Sequence, residues 1–481
     1  MRGIVWFRRD LRVADQPALT AACEECDEVI PLFVFDEPLL QSHEFGSACL
    51  NFMLGCLVEL QASLAALGLP LQWRRGAQVD EVVRAAREWH VDVVYWNRDY
   101  EPRTIARDQA VQERLAREGI AAKTFKDHVV FETQEVRGAT GEPLQRYSAY
   151  RARWWAKWHA VKPALRSVPR LSSSGKKTVL PPPSPLPTAS ELGYDHLVPW
   201  IDPGERSARK QLRWFIDGPI HHYVDGRNRP AIEGSAKLSP HLRFGTLSPR
   251  EAVYTALQSL SHKGPVSRAD VLTWIDELIW REFFQQVLAA FPHVVDGPFR
   301  HTSAPPSRES GPERDRLFQA WCDGNTGYPI VDAGMRQLNQ TGWMHNRVRM
   351  IVASFLIKDL RIDWRGGERY FMRHLLDADV AANNGNWQWC ASTGTDSMPG
   401  YRIFNPVLQS KKFDPEGVYI RRYVPQLARV PAKQIHEPHL MTPDEQHRYG
   451  CQIGIHYPAP IVDHSQARQE YLALGKRPVT T

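Results

Sequence analysis

Short apolar runs and helical spacings alternate over residues 1–130. Residues 4–7, 29–35 and 91–96 are continuous apolar, β-branched or aromatic stretches, the pattern of strands buried on both faces. Between them, 47–67 and 79–89 repeat apolar positions at intervals of three and four, and 97–107 leads into a charged helix reaching Gly119. This alternation predicts a Rossmann-like α/β domain over 1–130, with a parallel sheet and right-handed crossovers. Neither GxGxxG nor GxxxxGK[ST] occurs, so a dinucleotide fingerprint and a P-loop are both unsupported.

The texture changes over 131–205, which reads as an interdomain linker. An aromatic-basic stretch, 147–158, allows one short helix there. Residues 171–187 are rich in Ser, Lys and Pro, including Pro181-Pro182-Pro183, and predict no regular element. Beyond it, 208–216, 249–258, 269–291, 313–322, 330–340, 347–358 and 367–376 all carry helical spacing. A large all-α domain over 206–481 is expected, without strands.

Composition narrows the class. With 481 residues, 43% hydrophobic and 24% charged, the chain suits two or three globular domains and excludes global disorder. Residues 1–200 balance 25 basic against 25 acidic side chains, so the whole excess of +6 lies in the C-terminal part. Half of the sixteen tryptophans also follow residue 200. A basic, Trp-rich half suits nucleic acid, with cations on phosphates and rings on bases; a solvated surface over a helical core reads the same way. No apolar run approaches the ~20 residues of a membrane span, and Arg8-Arg9 cuts the first run where a signal peptide would need it to continue. Seven cysteines fit reduced thiols, so a cytoplasmic location is expected. The single CxxC, Cys23 and Cys26, reads as a buried helix face, and no metal site is expected.

The candidate chemistry lies in the helical part. In Trp274-Ile275-Asp276-Glu277-Leu278-Ile279-Trp280-Arg281, spacings of three and four put Trp274, Glu277 and Arg281 on one helix face, with Trp280 beside them. Two indoles, a carboxylate and a guanidinium suit a flat heteroaromatic ligand bearing phosphate; an amphipathic helix with a surface ion pair would look alike. Gly342-Trp343-Met344-His345-Asn346-Arg347-Val348-Arg349-Met350 repeats the theme. Asp377, Asp379, Asn383 and Asn384 follow with no His or Cys beside them. Such a set is poor for transition metals but good for flavin imide, ribitol or ribose groups; a Ca²⁺ loop would need the absent EF-hand spacing.

These residues resemble the photolyase/cryptochrome flavoproteins, and within them the class I cyclobutane pyrimidine dimer (CPD) DNA photolyases. The resemblance runs from Val5-Trp6-Phe7-Arg8-Arg9-Asp10-Leu11-Arg12 through Leu238-Ser239-Pro240-His241-Leu242. It is densest between Thr326-Gly327-Tyr328-Pro329 and Phe404-Asn405-Pro406, and it closes on Tyr457-Pro458-Ala459-Pro460-Ile461-Val462. It implies a non-covalent, U-shaped FAD, active as FADH⁻. By motif position its contacts fall on Tyr223, Ser235, Leu238, Ser239, Trp274, Arg281, Trp343, Asn346, Arg349, Asp377, Asp379 and Asn383. Where the family usually has Thr-Ser-x before Leu238, this chain has Ser235-Ala236-Lys237 and lacks one hydroxyl.

The reaction so implied is light-driven. Excited reduced flavin lends an electron to a flipped-out dimer, the dimer splits, and the electron returns. Glu277 matches the carboxylate that hydrogen-bonds the dimer, Trp280 and Trp389 its apolar walls, Met350 a sulfur contact and Arg347 a hold on the lesion backbone. Asn383 matches the residue facing flavin N5. Photolyases for (6-4) photoproducts carry two histidines where Asn346 and Met350 stand, so that lesion should not be repaired. Trp387 and Trp364 match the inner members of the family's three-tryptophan electron relay, but Gly311 falls at the outer position. Photoreduction is therefore expected to be impaired, unless another aromatic such as Tyr370 or Tyr401 completes the chain. The resemblance also implies an antenna chromophore in the N-terminal domain. Thr104 at the folate carboxylate position weakens folate, and a deazaflavin, a flavin or an empty site stays open. Expected partners are damaged DNA and no membrane, with the chain a monomer. A cryptochrome signalling protein is the alternative; only about twenty residues after the Val462 motif leave no room for a long regulatory tail. A dark flavin oxidoreductase would need a nicotinamide site that the sequence does not offer.

Overall fold

Apolar continuity does fix the centre of the sheet. In the computed structural model the strands β1 (Arg2–Phe7), β2 (Glu28–Asp36), β3 (Gln72–Gly76), β4 (Val93–Asn97) and β5 (Ala121–Phe125) form one parallel sheet in the order β3-β2-β1-β4-β5. All residues are described except 43, 45, 171–183, 261–266, 301–306 and 475–481. The Ser/Lys/Pro-rich expectation for 171–183 thus lies outside the described residues.

Three strands fall where the runs predict them; β3 and β5 were not read. Both are the edges of the sheet, and their sequences, Gln-Trp-Arg-Arg-Gly and Ala-Ala-Lys-Thr-Phe, carry the charges that edges bear. Ile4, Trp6, Ile30, Leu32, Val34, Val94 and Trp96 join Val82, Val83 and Val111 from flanking helices in one buried cluster.

The helices start where caps can hold them. Ser248 accepts from the Glu251 N–H, Ser267 from Asp270, and Asp363 from Arg365. The spacing over 347–358 resolves into an α-helix, Asn346–Ser354, followed by a π-helical turn, Phe355–Asp359. No named strand follows residue 125 among the described residues. The aromatic-basic stretch forms the helix Tyr147–Val161. All seven cysteines are free and buried.

The expectation about membrane-length segments needs correction. Helix Ser47–Ala66 has the length and composition of a span, with a mean hydropathy of 1.5 over its best window. Asn51, Glu59 and Gln61 interrupt it in sequence, yet apolar residues dominate the average. Leu50, Phe52, Cys56, Leu57, Leu60 and Leu64 on this helix are buried inside the protein, as in a core helix.

The chain divides into two interleaved compact units. The first comprises Met1–His221, Ala236–Pro292 and Leu376–Ala382; the second comprises His222–Ser235, His293–Leu375 and Asn383–Thr481. Residues of the expected helical domain, 206–481, contribute to both.

Candidate functional site

In the first unit, the site is organised by the helix Arg268–Ala290. It has no Gly or Pro in 23 residues, and Val271, Trp274, Ile275, Ile279 and Phe283 fix its inner face. Trp274 is buried and packs on Phe215 at 5.2 Å. Glu277 and Arg281 follow at the predicted spacing, each half-buried. Arg281 donates to the His128 carbonyl at 2.8 Å and meets the same residue's Nε2 at 2.6 Å. Burial, together with the Arg281 and Arg9 cations, pushes His128 down to about 3. It is therefore a neutral imidazole between two guanidinium groups.

Arg9 carries this cluster into the segment Leu376–Ala382. Asp379 accepts from Arg9 Nη2, from Gln285 Nε2 at 3.2 and 3.3 Å, and from the Ala382 N–H at 3.0 Å. Burial alone would raise its pKa; Arg9, His128 and Arg243 outweigh it and hold the carboxyl well below the usual range. Arg9 also pairs with Glu101 and Asp99. Gly245, at φ +62°, lets the chain pass against Arg9, where a Cβ would sit 2.1 Å from the Arg9 carbonyl oxygen. Arg243 binds the Ala378 carbonyl through Nε, yet its Nη1 is buried without a partner, as is Gln285 Oε1. Asp377 is buried in the same segment. Leu238, also buried, precedes the short helix Ser239–Arg243, whose Ser239 is exposed.

Trp280 stands at the edge of this helix. Its indole lies on the Tyr147 ring at 3.5 Å between centroids and 7° between planes. Behind it, Glu282 accepts from the Val130 and Phe131 N–H groups, the Tyr150 hydroxyl and the Trp154 indole. Burial pushes Glu282 up to about 7 against those four donors.

The second unit holds the remaining predicted residues. Tyr223 and Trp343 are buried, and Ser235 is half-buried. Asn346 is exposed at the start of its helix, where His345 caps the first turn through the Arg347 N–H. Arg347 donates to Asn228 Oδ1 at 2.5 and 3.2 Å, reaches Met350 Sδ at 3.5 Å, and lies 4.6 Å over the Phe413 ring. Arg349 instead binds back to the Met344 carbonyl at 2.9 Å.

Asn383 and Asn384 divide Glu368 between them. Asn383 Nδ2 donates to its carbonyl at 3.0 Å, and Asn384 Nδ2 to its carboxyl at 2.9 Å. Burial, opposed by Asn384, pushes Glu368 up to about 7. Since a carbonyl only accepts, the Asn383 amide is oriented with Oδ1 left for a donor. Trp387 is buried, with its ring against Gly367, where a Cβ would lie 2.2 Å away. Trp364 is buried and Trp389 half-buried.

Sequence reasoning missed His128, Arg9, Gln285, Tyr147 and Glu368 as parts of these clusters. Only Arg9, inside the Val5–Arg12 motif, and Tyr147, in a noted aromatic stretch, gave a signal. Among the described residues no group of His, Cys, Asp and Glu could hold a metal.

Each unit by itself offers groups that suit parts of a flavin dinucleotide. The unpartnered Arg243 nitrogen suits a phosphate or carbonyl oxygen, the Gln285 amide oxygen a hydroxyl, and Asn383 Oδ1 a ring N–H. Residues 3–169 match the DNA photolyase family and residues 274–477 the FAD-binding domain of DNA photolyase. A deoxyribodipyrimidine photo-lyase of Vibrio cholerae is 41% identical, covering 98% of this chain and 99% of its own. A class III photolyase of Agrobacterium tumefaciens superposes with a TM-score of 0.86 at 37% identity, over 98% of this chain and 96% of that one. A Synechocystis cryptochrome gives 0.87 at 28% identity, over 98% and 99%. With a parallel α/β sheet, an FAD-binding helical region and relatives aligned end to end, the chain belongs to the DNA photolyase family of light-dependent, FAD-binding DNA repair lyases.

Proposed function

We propose that the chain repairs cyclobutane pyrimidine dimers in DNA with light, and that residues 1–130 act as its antenna-chromophore domain. One observation carries the reading. Glu277 and Trp280 stand about one turn apart on a helix whose next residue, Arg281, is bound to His128, and the Trp280 ring is held flat by Tyr147. A carboxylate beside a fixed indole offers a hydrogen-bond acceptor for a base N–H and an apolar wall for a non-planar pyrimidine pair.

Bound FAD, when reduced, supplies the photochemical electron. This chain's residues do the rest. Tyr223, Ser235, Leu238, Ser239, Trp274, Arg281, Trp343, Asn346, Arg349, Asp377, Asp379 and Asn383, at the positions the family uses for it, hold the cofactor. Asn383 presents an amide oxygen, which cannot donate a proton and so favours the anionic reduced flavin. Glu277 accepts from the dimer, Trp280 and Trp389 exclude water around it, and Met350 contacts it through sulfur. Arg347, already aligned by Asn228, takes a phosphate of the lesion strand by a charge-assisted bond. Asn346 and Met350, where (6-4) enzymes carry histidines, restrict the substrate to the cyclobutane lesion.

The test is illumination of the reduced protein with dimer-containing DNA while absorbance recovery of the pyrimidine band is followed. Recovery in light and none in darkness supports repair. The likeness to a cryptochrome favours a second reading, light signalling without repair, and FAD binding with no recovery would select it. A folate, a deazaflavin or a flavin serves as antenna in this proposal; mass spectrometry of cofactors released from the purified protein identifies which.

A further inference from the structure

Gly311, at the position of the family's outer relay tryptophan, immediately precedes the helix Pro312–Cys322, and a Cβ added to it would meet nothing within 4 Å. The far end of that helix carries Trp321, fully buried. Its ring centroid lies 6.2 Å from that of Trp387, at 70°. Trp321 also meets Tyr370 at 5.6 Å and 67°. Tyr370 is half-buried, its hydroxyl 2.8 Å from Asn339 Oδ1 on the solvent side and 3.1 Å from the Cys322 carbonyl. The His374 ring stacks on it at 3.9 Å. No aromatic ring packs on Trp364 among the described residues.

We propose that Trp387, Trp321 and Tyr370 form the conduit by which electrons from solution reach the flavin, with Tyr370 as its outer end. This rests on the FAD-dependent reading above. After excitation of oxidised flavin, Trp387 gives up one electron, Trp321 refills Trp387, and Tyr370 refills Trp321. Tyr370 loses one electron and its hydroxyl proton, which passes to water beside Asn339. A thiol reductant in solution returns one electron and one proton and is itself oxidised by one electron.

The environments set the direction. The Trp321 indole N–H is donated to the Val352 carbonyl at 3.0 Å in a dry core, with no base to take its proton. Its hole therefore stays cationic and moves on. At Tyr370 the proton can leave, and the separated charge is trapped one ring beyond Trp321. The vacant outer position at Gly311 and the intact aromatic contact at Trp321 belong to the same helix, so the loss at one end leaves the other path unaltered.

The test is transient absorption, with steady blue-light photoreduction in the presence of a thiol, on the flavin-loaded full chain. The wild type should form a long-lived neutral tyrosyl radical. Tyr370→Phe, which removes one hydroxyl at a half-exposed position, should erase that signal and slow photoreduction by an order of magnitude at unchanged flavin content. Trp321→Phe should lose more photoreduction than Trp364→Phe. Absence of the tyrosyl signal in the wild type, its persistence in Tyr370→Phe, or greater damage from Trp364→Phe would each overturn the conduit. Full photoreduction by Trp387→Phe would instead overturn the placing of Trp387 beside the flavin, a failure of the underlying reading.

Discussion

Tyr147 and Trp280 stack face to face at 3.5 Å, joining the helix Tyr147–Val161 to the helix Arg268–Ala290 within one unit. The Tyr147 hydroxyl also binds the Asp276 carbonyl at 2.9 Å, so the phenol is held at both ends. Tyr147→Ala frees the outer indole. The ring pair contributes about 0.5–1.5 kcal/mol, so affinity for dimer-containing DNA should fall ~2–10-fold with FAD content unchanged. Tyr147→Phe keeps the stack and should bind nearly as wild type. Equal loss in both variants would mean that the hydroxyl, not the stack, matters.

Glu277→Ala should lower both lesion affinity and repair yield, since a hydrogen bond to the dimer is lost at ~1–3 kcal/mol. The flavin spectrum and stoichiometry should stay as they are. A variant that loses FAD yet repairs normally once reloaded would place this carboxylate on the cofactor.

Arg347→Ala removes one phosphate contact. The slope of log affinity against log salt should become shallower by about one unit, equally for damaged and intact DNA. An unchanged slope with lost discrimination would assign Arg347 to the lesion itself.

Asp379 is bound on several sides by Arg9, Gln285 and a backbone amide. Asp379→Asn should therefore destabilise the FAD-free protein by ~3–5 kcal/mol, the cost of breaking a buried ion pair from one side. Urea unfolding of FAD-free protein measures it. A residue that served FAD alone would leave that value where it was.

Glu282 gives stability a pH dependence of unusual sign. Its folded pKa of about 7 lies above the ordinary 4.5. Between those values the folded state holds a proton that the unfolded state has lost, so stability falls as pH rises through this window, by up to ~1.4 kcal/mol per unit. Below about 4.5 the contribution is fully present. Glu282→Gln should flatten the dependence of Tm on pH between 5 and 7. A wild-type slope retained in the variant would assign the titration elsewhere.

The parts of this structure legible in sequence are those that one element carries alone. β1, β2 and β4 announced themselves by apolar continuity, and spacings of three and four put Trp274, Glu277 and Arg281 along one helix. β3 and β5 did not, because edge strands need charge where central strands need Val and Ile. Asp379 could be picked out, but its ties to Arg9 and Gln285 could not: they join segments far apart in the chain, and no local pattern encodes a contact of that range. Glu368 and His128 stayed hidden for the same reason. Trp321 gave no sign of its partner, since nothing in its own helix says which indole it faces.

The Leu376–Ala382 segment makes completion of the first unit wait on late synthesis. Until this stretch has been made Arg9 has Asp99 and Glu101 but not Asp379, although the first unit's other pieces end at Pro292. At ~5–20 residues per second, translation from Pro292 to Ala382 takes several seconds. Throughout that interval the nascent first unit carries a guanidinium short of one carboxylate, and the last step in closing it comes from chain that the ribosome delivers long after the sheet.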